Sequence, residues 1–122
     1  MKKILVVEDS ATMRHLIRMY LRNIQGVTLV EARDGLEAME KIKESHYDLL
    51  MTDINMPRMD GLQLIKSVRT MGIKIPIIVL TTRGEEPDVE RGMELGADSY
   101  ITKPVVGPAL SNAIMDYIGA AA

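Results

Sequence analysis

Polar or charged residues whose side chains could form a chemical site follow four short apolar runs of this chain. The set comprises Glu8 and Asp9 after the first run, Asp53 after the third, Thr81 after the fourth and Lys103 after the fifth. Three carboxylates brought together in a partly desolvated cleft repel one another strongly, because Coulomb energies grow as the local dielectric falls. A divalent cation relieves that repulsion. All-oxygen ligation without His or Cys favours Mg²⁺ over Zn²⁺.

The elements that must position these residues follow from the alternation of apolar runs with segments of helical period. Five strands are predicted, at Ile4–Val7, Leu29–Val30, Leu49–Met51, Ile77–Leu80 and Tyr100–Ile101. Strands that alternate with helices at this spacing form a parallel sheet through right-handed crossovers, with helices on both faces. The second and fifth strands are short and mixed in polarity, which places them at the edges. We therefore predict a doubly wound α/β fold with strand order 2-1-3-4-5, whose ligands bind beyond the carboxyl ends of the strands.

The intervening helices are indicated by apolar residues at three- and four-residue steps. In the first helix Arg14, Arg18 and Arg22 occupy the opposite, polar face. The apolar stripes comprise Met13, Leu16, Ile17, Tyr20, Leu21 and Ile24, then Leu36, Met39 and Ile42, then Leu62, Ile65 and Val68, then Val89 and Met93, and finally Leu110, Ala113, Ile114, Tyr117 and Ile118. With no Phe or Trp, the core is expected to be aliphatic, with many of the ten Met residues as filler.

Length and composition limit the classes of function. A chain of 122 residues suits a single domain, here 1–122, and 47% hydrophobic residues can form a sizeable core. A net charge of -2 gives no general attraction to nucleic acid or anionic membranes. The absence of cysteine excludes disulfides and thiolate metal sites. The apolar runs are too short to span a bilayer, so we expect a soluble protein. We also expect it to be cytoplasmic, which agrees with the lack of cysteine, and monomeric.

Simpler structural roles compete with the functional ones. The run Glu8-Asp9-Ser10 could cap the first helix, and Asp60 before Gly61 reads as such a cap. His15 and His46 are expected to be solvated surface residues. A lone Asp53 or Lys103 would more often be a solvated loop residue. Their joint occurrence at the ends of different strands favours a functional site.

Four sequence blocks resemble the motifs of bacterial response-regulator receiver domains, which have a flavodoxin-like fold. The blocks are Val6-Val7-Glu8-Asp9-Ser10, then Asp53-Ile54-Asn55-Met56-Pro57 with Met59-Asp60-Gly61, then Leu80-Thr81-Thr82, and finally Gly96-Ala97-Asp98-Ser99-Tyr100-Ile101-Thr102-Lys103-Pro104. The resemblance covers the whole chain, and the Lys-Pro pair in register with the acidic blocks is a specific signature.

The resemblance implies roles for the acidic residues. Asp53 would accept a phosphoryl group, and Mg²⁺ would be the cofactor. Asp9 and Asp53 would bind the metal directly, Glu8 would bind it through water, and Asn55 would supply its backbone carbonyl. A cis peptide bond is implied at Lys103–Pro104.

Further roles follow from the same resemblance. The Thr81 hydroxyl and the Lys103 ammonium would contact the phosphoryl group. Thr81 and Tyr100 would form the switch, remodelling the surface of the fourth helix, fifth strand and fifth helix. Thr82 and Arg83 depart from the residues usual in the family, and we expect them to modulate access to the site.

The family resemblance predicts a signalling switch rather than an enzyme acting on an external substrate. A histidine kinase would donate the phosphoryl group, and a downstream protein would read the switch. The receiver would catalyse its own phosphorylation and dephosphorylation. The chain stops soon after the fifth helix, so no output domain is expected. A standalone receiver resembles the chemotaxis regulators that act on the flagellar motor switch; the alternatives are a phosphorelay intermediate or a receiver excised from a larger regulator.

Two other classes of function compete with the signalling switch. A phosphatase of the haloacid-dehalogenase type needs a second Asp two residues after the first, where this chain has Asn55. A flavodoxin-like electron carrier needs a hydroxyl-rich phosphate loop after the first strand, where Glu8 and Asp9 would repel a phosphate. Nucleotide-binding glycine motifs are absent from the sequence.

Overall fold

The computed structural model describes residues 1–82, 86–105 and 107–119 and contains a five-stranded parallel sheet. Arg83, predicted to modulate access, lies outside these ranges. The strands are β1 (Lys2–Val7), β2 (Val27–Ala32), β3 (Leu49–Asp53), β4 (Ile77–Thr81) and β5 (Ser99–Thr102). Their order, β2-β1-β3-β4-β5, confirms the predicted topology and the edge positions of β2 and β5. The strands extend beyond the predicted apolar runs, so Asp53 and Thr81 are the last residues of their strands rather than residues that follow them.

Helices follow each strand and cover both faces of the sheet. They are α1 (Ala11–Leu21), α2 (Gly35–Glu44), α3 (Gly61–Thr70), α4 (Glu86–Leu95) and α5 (Gly107–Ile118). The first three begin at side chains that accept a backbone N–H in the first turn: Ser10, Asp34 and Asp60. The prediction that Asp60 is a helix cap is confirmed. In the first acidic block Ser10 alone is the cap of α1, which leaves Glu8 and Asp9 for another role.

The core consists of two layers, one on each face of the sheet. Successive residues of the central strands enter alternate layers: Leu5 and Leu50 pack on one side with α2 and α3, whereas Ile4 and Leu49 pack on the other with α1 and α5. Strands β3 and β4 are buried along their whole length. Both faces of these strands are covered, as expected for a parallel sheet. The apolar core therefore fixes where the carboxyl ends of the strands lie.

The methionines depart from the predicted role as core filler. Met39 and Met51 are buried, but several others expose large parts of their side chains. The exposed set comprises Met1, Met19, Met71, Met93 and Met115. Leu36 and Met93 belong to predicted apolar stripes and are nevertheless 40% and 39% exposed. Fewer residues of α2 and α4 are buried against the sheet than their apolar stripes predict.

The remaining surface features agree with the sequence. His15 and His46 are exposed, as predicted. Within the described ranges, no helix is long and apolar enough to cross a bilayer.

Candidate functional site

The acidic residues and the lysine meet at the carboxyl edge of the sheet. Lys103 Nζ lies 2.8 Å from Glu8 Oε2 and 3.2 Å from Asp53 Oδ2. Glu8 is 1% exposed and Asp53 is 6% exposed, so one ammonium group holds two buried carboxylates. Strand β3 lies between β1 and β4, and β5 lies beside β4, which brings the three residues together from distant parts of the chain.

Glu8, Asp9 and Asp53 form a group that fits a divalent cation. Each contributes a carboxylate oxygen, and these oxygens all lie within 4.8 Å of one another. Asp9 is exposed, so the group is open to solvent on one side. Among the described residues Glu8 Oε2 has no hydrogen bond of acceptable geometry, and its contact is the ion pair with Lys103. A buried anionic oxygen with spare ligating capacity beside two further carboxylates suits Mg²⁺.

Burial and charge shift the proton affinities at this site. Burial raises the pKa of Asp53 above its ordinary value, and the charge on Asp9 adds to the rise, against the opposing influence of Lys103. Burial likewise raises the pKa of Glu8. Burial alone would lower the pKa of Lys103, but its contacts with Glu8 and Asp53 raise it. Lys103 therefore stays protonated and supplies a fixed positive charge beside Asp53.

The loop after β3 fixes the orientation of the Asp53 carboxylate. The Ile54 N–H donates to Asp53 Oδ1 at 2.8 Å, and the Gly61 N–H donates to the Ile54 carbonyl at 2.8 Å. At Gly61 the main chain passes so close that a Cβ would overlap the Asp53 carbonyl oxygen. Only glycine lets α3 begin this close to the candidate phosphoacceptor.

Arg14 is a positioning residue that the sequence pattern did not reveal. Its Nη1 donates to the Glu8 carbonyl at 2.7 Å, and its Nε lies 3.5 Å from Glu31 of β2. The Ser10 N–H also donates to Glu8 Oε1 at 3.1 Å. Arg14 was predicted on the polar face of α1, but it is half-buried and holds the turn that presents Glu8 and Asp9.

The loop that carries Asn55 is tied to the rest of the fold by an ion pair that was also not predicted. Arg58 Nε donates to Asp34 Oδ2 at 2.7 Å, and Arg58 has a positive φ of 66°. Asp34 is buried and caps α2. Burial by itself raises the pKa of Asp34, but the Glu37 N–H and Arg58 outweigh burial and hold the pKa below its usual value. The metal-ligand role of the Asn55 carbonyl stays a prediction.

An Asp34→Asn substitution is expected to reduce stability near pH 7 by about 1.5 kcal/mol, because the ion pair with Arg58 is lost while the cap is kept. A lowered pKa in the folded state stabilises the protein above the ordinary value of about 3.9, and this stabilisation is lost as pH falls through the folded-state pKa. The difference from wild type should therefore close in acid. Urea unfolding between pH 7 and pH 3 measures it. A difference that stays constant with pH would contradict the role of charge.

The predicted switch residues line a groove beside the site. Thr81 is buried at the end of β4, and its carbonyl accepts the Lys103 N–H at 2.6 Å. Thr82 is exposed. The Tyr100 side chain is 53% exposed and lines the same groove as Thr81 and Thr82. A movement at Thr81 therefore has a short path to Tyr100. The effect of Thr82 on access to the site stays a prediction. The peptide bond Lys103–Pro104 is cis, as the resemblance implied.

The sheet order and the clustered acidic residues define a receiver-type α/β protein, and comparison with known proteins gives its family. The chain belongs to the response regulator receiver domain family, whose model matches residues 4–115. It is therefore a receiver domain of two-component signalling.

The relatives that the chain matches differ in how much of their own length the match covers. The chain is 38% identical to the chemotaxis protein CheY of Halobacterium salinarum over 119 residues, which cover 98% of both chains. It is 44% identical over 102 residues to the transcriptional regulatory protein ResD of Bacillus subtilis, and the match covers 84% of this chain but 42% of ResD. The chain thus matches less than half the length of that relative.

Solved structures agree with this placement. The chemotaxis response regulator CheY4 of Vibrio cholerae has a TM-score of 0.87 at 30% sequence identity, covering 97% of this chain and 99% of that one. The predicted fold class is confirmed.

Removing one carboxylate is expected to show separately how charge repulsion and Mg²⁺ binding affect thermal stability. Asp9→Ala should raise the melting temperature in EDTA, because Asp9 opposes the ionised form of Asp53. Wild-type protein should gain about 1.4 kcal/mol at a Mg²⁺ concentration of about ten times Kd, and Asp9→Ala should lose most of that gain. Thermal melts with and without Mg²⁺ measure both effects. A variant that melts below wild type in EDTA and responds fully to Mg²⁺ would contradict the clustered-carboxylate interpretation.

Proposed function

We propose that Asp53 accepts a phosphoryl group from the phosphohistidine of a histidine kinase and that the protein then changes its α4-β5-α5 surface. The observation that carries this proposal is the Lys103 ammonium, which lies within ion-pair distance of both Asp53 and Glu8. A fixed cation beside the acceptor carboxylate is placed to neutralise charge on the transferring oxygens. The protein is a signalling switch with its own phosphorylation and dephosphorylation activity.

The transfer itself needs alignment more than covalent help. An Asp53 oxygen attacks phosphorus as the phosphorus–nitrogen bond of the phosphohistidine breaks, and the electron pair stays on the imidazole. The Ile54 N–H holds Asp53 Oδ1 and thereby orients the attacking carboxylate. Lys103 and the Thr81 hydroxyl contact the arriving oxygens. Mg²⁺ held by Asp9, Asp53, the Asn55 carbonyl and, through water, Glu8 supplies further neutralising charge when bound.

The same residues explain how phosphorylation of Asp53 would change the surface of the protein. A phosphoryl group presents acceptor oxygens and extra negative charge, which draw the Thr81 hydroxyl inward. Tyr100 stands in the groove next to Thr81 and is exposed enough to turn. An inward Tyr100 would change the surface between α4 and β5. A partner that prefers this form stabilises the phosphorylated geometry in return.

Thr81→Ala is expected to accept phosphate yet to lose the response at Tyr100. Beryllofluoride with Mg²⁺ can stand in for the phosphoryl group, and the ring signals of Tyr100 can be followed by NMR in a chain without Trp or Phe. The wild-type signals should shift on loading, and those of Thr81→Ala should shift much less.

The matched control is Thr70→Ala, because the Thr70 hydroxyl donates to the Lys66 carbonyl within α3 and its loss should leave the Tyr100 response intact. Equal Tyr100 shifts in wild type and Thr81→Ala would exclude the proposed coupling.

For the biological role we propose chemotaxis, with the flagellar motor switch as the downstream target. The full-length similarity to two chemotaxis regulators supports this role. The second candidate is the receiver unit of a longer regulator or phosphorelay, and the similarity to part of ResD favours it. Phosphotransfer profiling against the histidine kinases of the source organism tests the roles: preferential transfer from a chemotaxis kinase supports the first, and transfer from a membrane sensor kinase supports the second.

A further inference from the structure

A cavity of about 800 Å³, which we call the amino-edge cavity, lies at the edge of the sheet opposite Asp53. Its lining residues come from the start of β1, the segments before β3 and β4, and the ends of α2 and α5. Strand β3 begins at Leu49 beside this cavity and ends at Asp53, about 13 Å away. Small-molecule sites in proteins typically measure about 300–1,000 Å³. The cavity is therefore separate from the phosphoacceptor site and large enough for a ligand of its own.

The floor and walls of the amino-edge cavity are largely apolar. Ile42, Tyr47 and Ile75 line it and are buried members of the core. Tyr117 and Ile118 of α5 are partly buried and line it as well. A ligand that fills this cavity needs an apolar body, because apolar surface is stabilised when it leaves water.

The rim of the amino-edge cavity is cationic. Its exposed lining residues include three lysines, Lys2, Lys43 and Lys74. Within the described ranges these lysines form no ion pair of 4.0 Å or less. The acidic lining residues are Glu44 and Asp48, so lysines exceed carboxylates by one. Asp48 is already engaged, since its Oδ2 accepts the Lys3 N–H at 2.9 Å and its Oδ1 lies 3.3 Å from His46 Nε2.

The ends of the helices do not account for all three lysines. Lys43 lies in the last turn of α2, where a cation complements the partial negative charge of the helix carboxyl end. Lys2 begins β1 and Lys74 precedes β4, so neither belongs to a helix. These two lysines are therefore available to bind an anion beside the apolar floor.

Tyr47 supplies a buried hydrogen-bond donor to the same cavity. The residue is 7% exposed, and the Lys3 ammonium lies 4.6 Å from the centre of its ring while donating to Ser45 Oγ at 2.6 Å. Among the described residues the Tyr47 hydroxyl has no hydrogen-bond partner, although buried tyrosine hydroxyls usually have one. Burial and the charge of Glu44 raise the pKa of Tyr47, so the hydroxyl keeps its proton and can donate it.

We infer that the amino-edge cavity binds a small organic anion with an apolar body, whose acidic group lies among the rim lysines and accepts a hydrogen bond from the Tyr47 hydroxyl. A neutral apolar ligand would leave the lysines without an anionic partner. A wholly polar anion, such as inorganic phosphate, would leave the apolar floor in water. The ligand class is therefore an aromatic or branched aliphatic acid. Its binding does not require phosphorylation of Asp53.

Anilinonaphthalene sulfonate tests the inference, because it joins apolar rings to a single anionic group and fluoresces in apolar surroundings. The comparison dye is phenylnaphthylamine, which has the same rings without the sulfonate. In EDTA the full chain should bind the sulfonate dye saturably and about tenfold more tightly than the neutral dye, because charge-assisted hydrogen bonds add to the apolar contacts. Equal affinities, or no saturable binding, would overturn the inference.

Matched charge variants locate the bound dye. A variant with Lys43→Gln and Lys74→Gln removes two rim cations and should bind the sulfonate dye about tenfold more weakly. A variant with Arg22→Gln and Lys66→Gln has the same net charge and removes two exposed cations outside the cavity lining. It should bind like wild type. Equal losses in the two variants would indicate general charge attraction and would overturn the inference.

Tyr47→Phe removes the hydroxyl and keeps the ring. It should weaken binding of the sulfonate dye about fivefold and leave binding of the neutral dye unchanged, because the lost hydrogen bond is made to the sulfonate. Tyr20→Phe is the control, since Tyr20 packs against the core on the other face of the sheet and should leave both affinities unchanged. Wild-type affinity of Tyr47→Phe for the sulfonate dye would place the dye elsewhere and overturn the inference.

Discussion

Asp53→Asn is expected to abolish stable phosphorylation by acetyl phosphate while the fold survives. Asp53 is the carboxylate held by Lys103 and by the Ile54 N–H at the end of β3, and an amide of the same shape cannot form an acyl phosphate. Intact-mass measurement after incubation with Mg²⁺ and acetyl phosphate should show one added phosphoryl group on wild type and none on the variant.

Asp60→Asn is the matched control for this experiment. Asp60 is a nearby aspartate whose role is to cap α3, and Asn caps helices equally well. The control should therefore be phosphorylated like wild type. A stoichiometric, base-labile phosphate on Asp53→Asn would show that another carboxylate is the acceptor.

Lys103→Met should lower the free energy of unfolding in EDTA by about 3 kcal/mol, because removing one partner leaves two buried carboxylates uncompensated. Glu8 and Asp53 are nearly inaccessible to water, so hydration cannot replace the lost contacts. Urea unfolding at pH 7 measures the loss.

Lys66→Met provides the comparison for Lys103→Met, since Lys66 is an exposed lysine on α3 and its loss should change stability by no more than about 0.5 kcal/mol. If both variants unfold at the same urea concentration as wild type, Lys103 does not stabilise the acidic pair.

The strand order and the residues that form the site could be predicted from the sequence, because both depend on short-range patterns. Continuous apolar runs mark buried parallel strands, and the polar residue that ends each run must lie at the same edge of the sheet. Glu8, Asp53 and Lys103 could therefore be placed together without knowledge of any side-chain contact. The resemblance to a family added their individual roles.

Contacts that form between distant elements escaped the sequence patterns. Arg14 occupies a polar helical position like Arg18, and the packing of α1 beside β2 places its Nε 3.5 Å from Glu31. The pairing of Asp34 with Arg58 joins two loops that are 24 residues apart. An Asp-Gly pair at the start of α2 signals the cap at Asp34, but no local signal identifies its partner.

The apolar repeat of the helices also overestimated how many of their side chains are buried. Val89 and Met93 are four residues apart on one side of α4, yet Val89 packs partly buried against the core whereas Met93 is 39% exposed. A helical stripe indicates which residues share a face, whereas the width of the covered strip depends on how the helix lies on the sheet.

The main chain at Gly61 lies so close to that of Asp53 that it restricts which mutations of the Gly61 codon are compatible with the fold. Every missense change of a single nucleotide in a glycine codon introduces a residue with a Cβ, and a Cβ here overlaps the Asp53 carbonyl oxygen. No such change can be accommodated without shifting the start of α3 or the strand end that carries Asp53. The neighbouring codon for Asp60 has more freedom, because Asn, Ser and Thr can also cap a helix. Random mutagenesis followed by selection for signalling should therefore purge changes at Gly61 as stringently as those at Asp53, although glycine contributes no side chain to the chemistry.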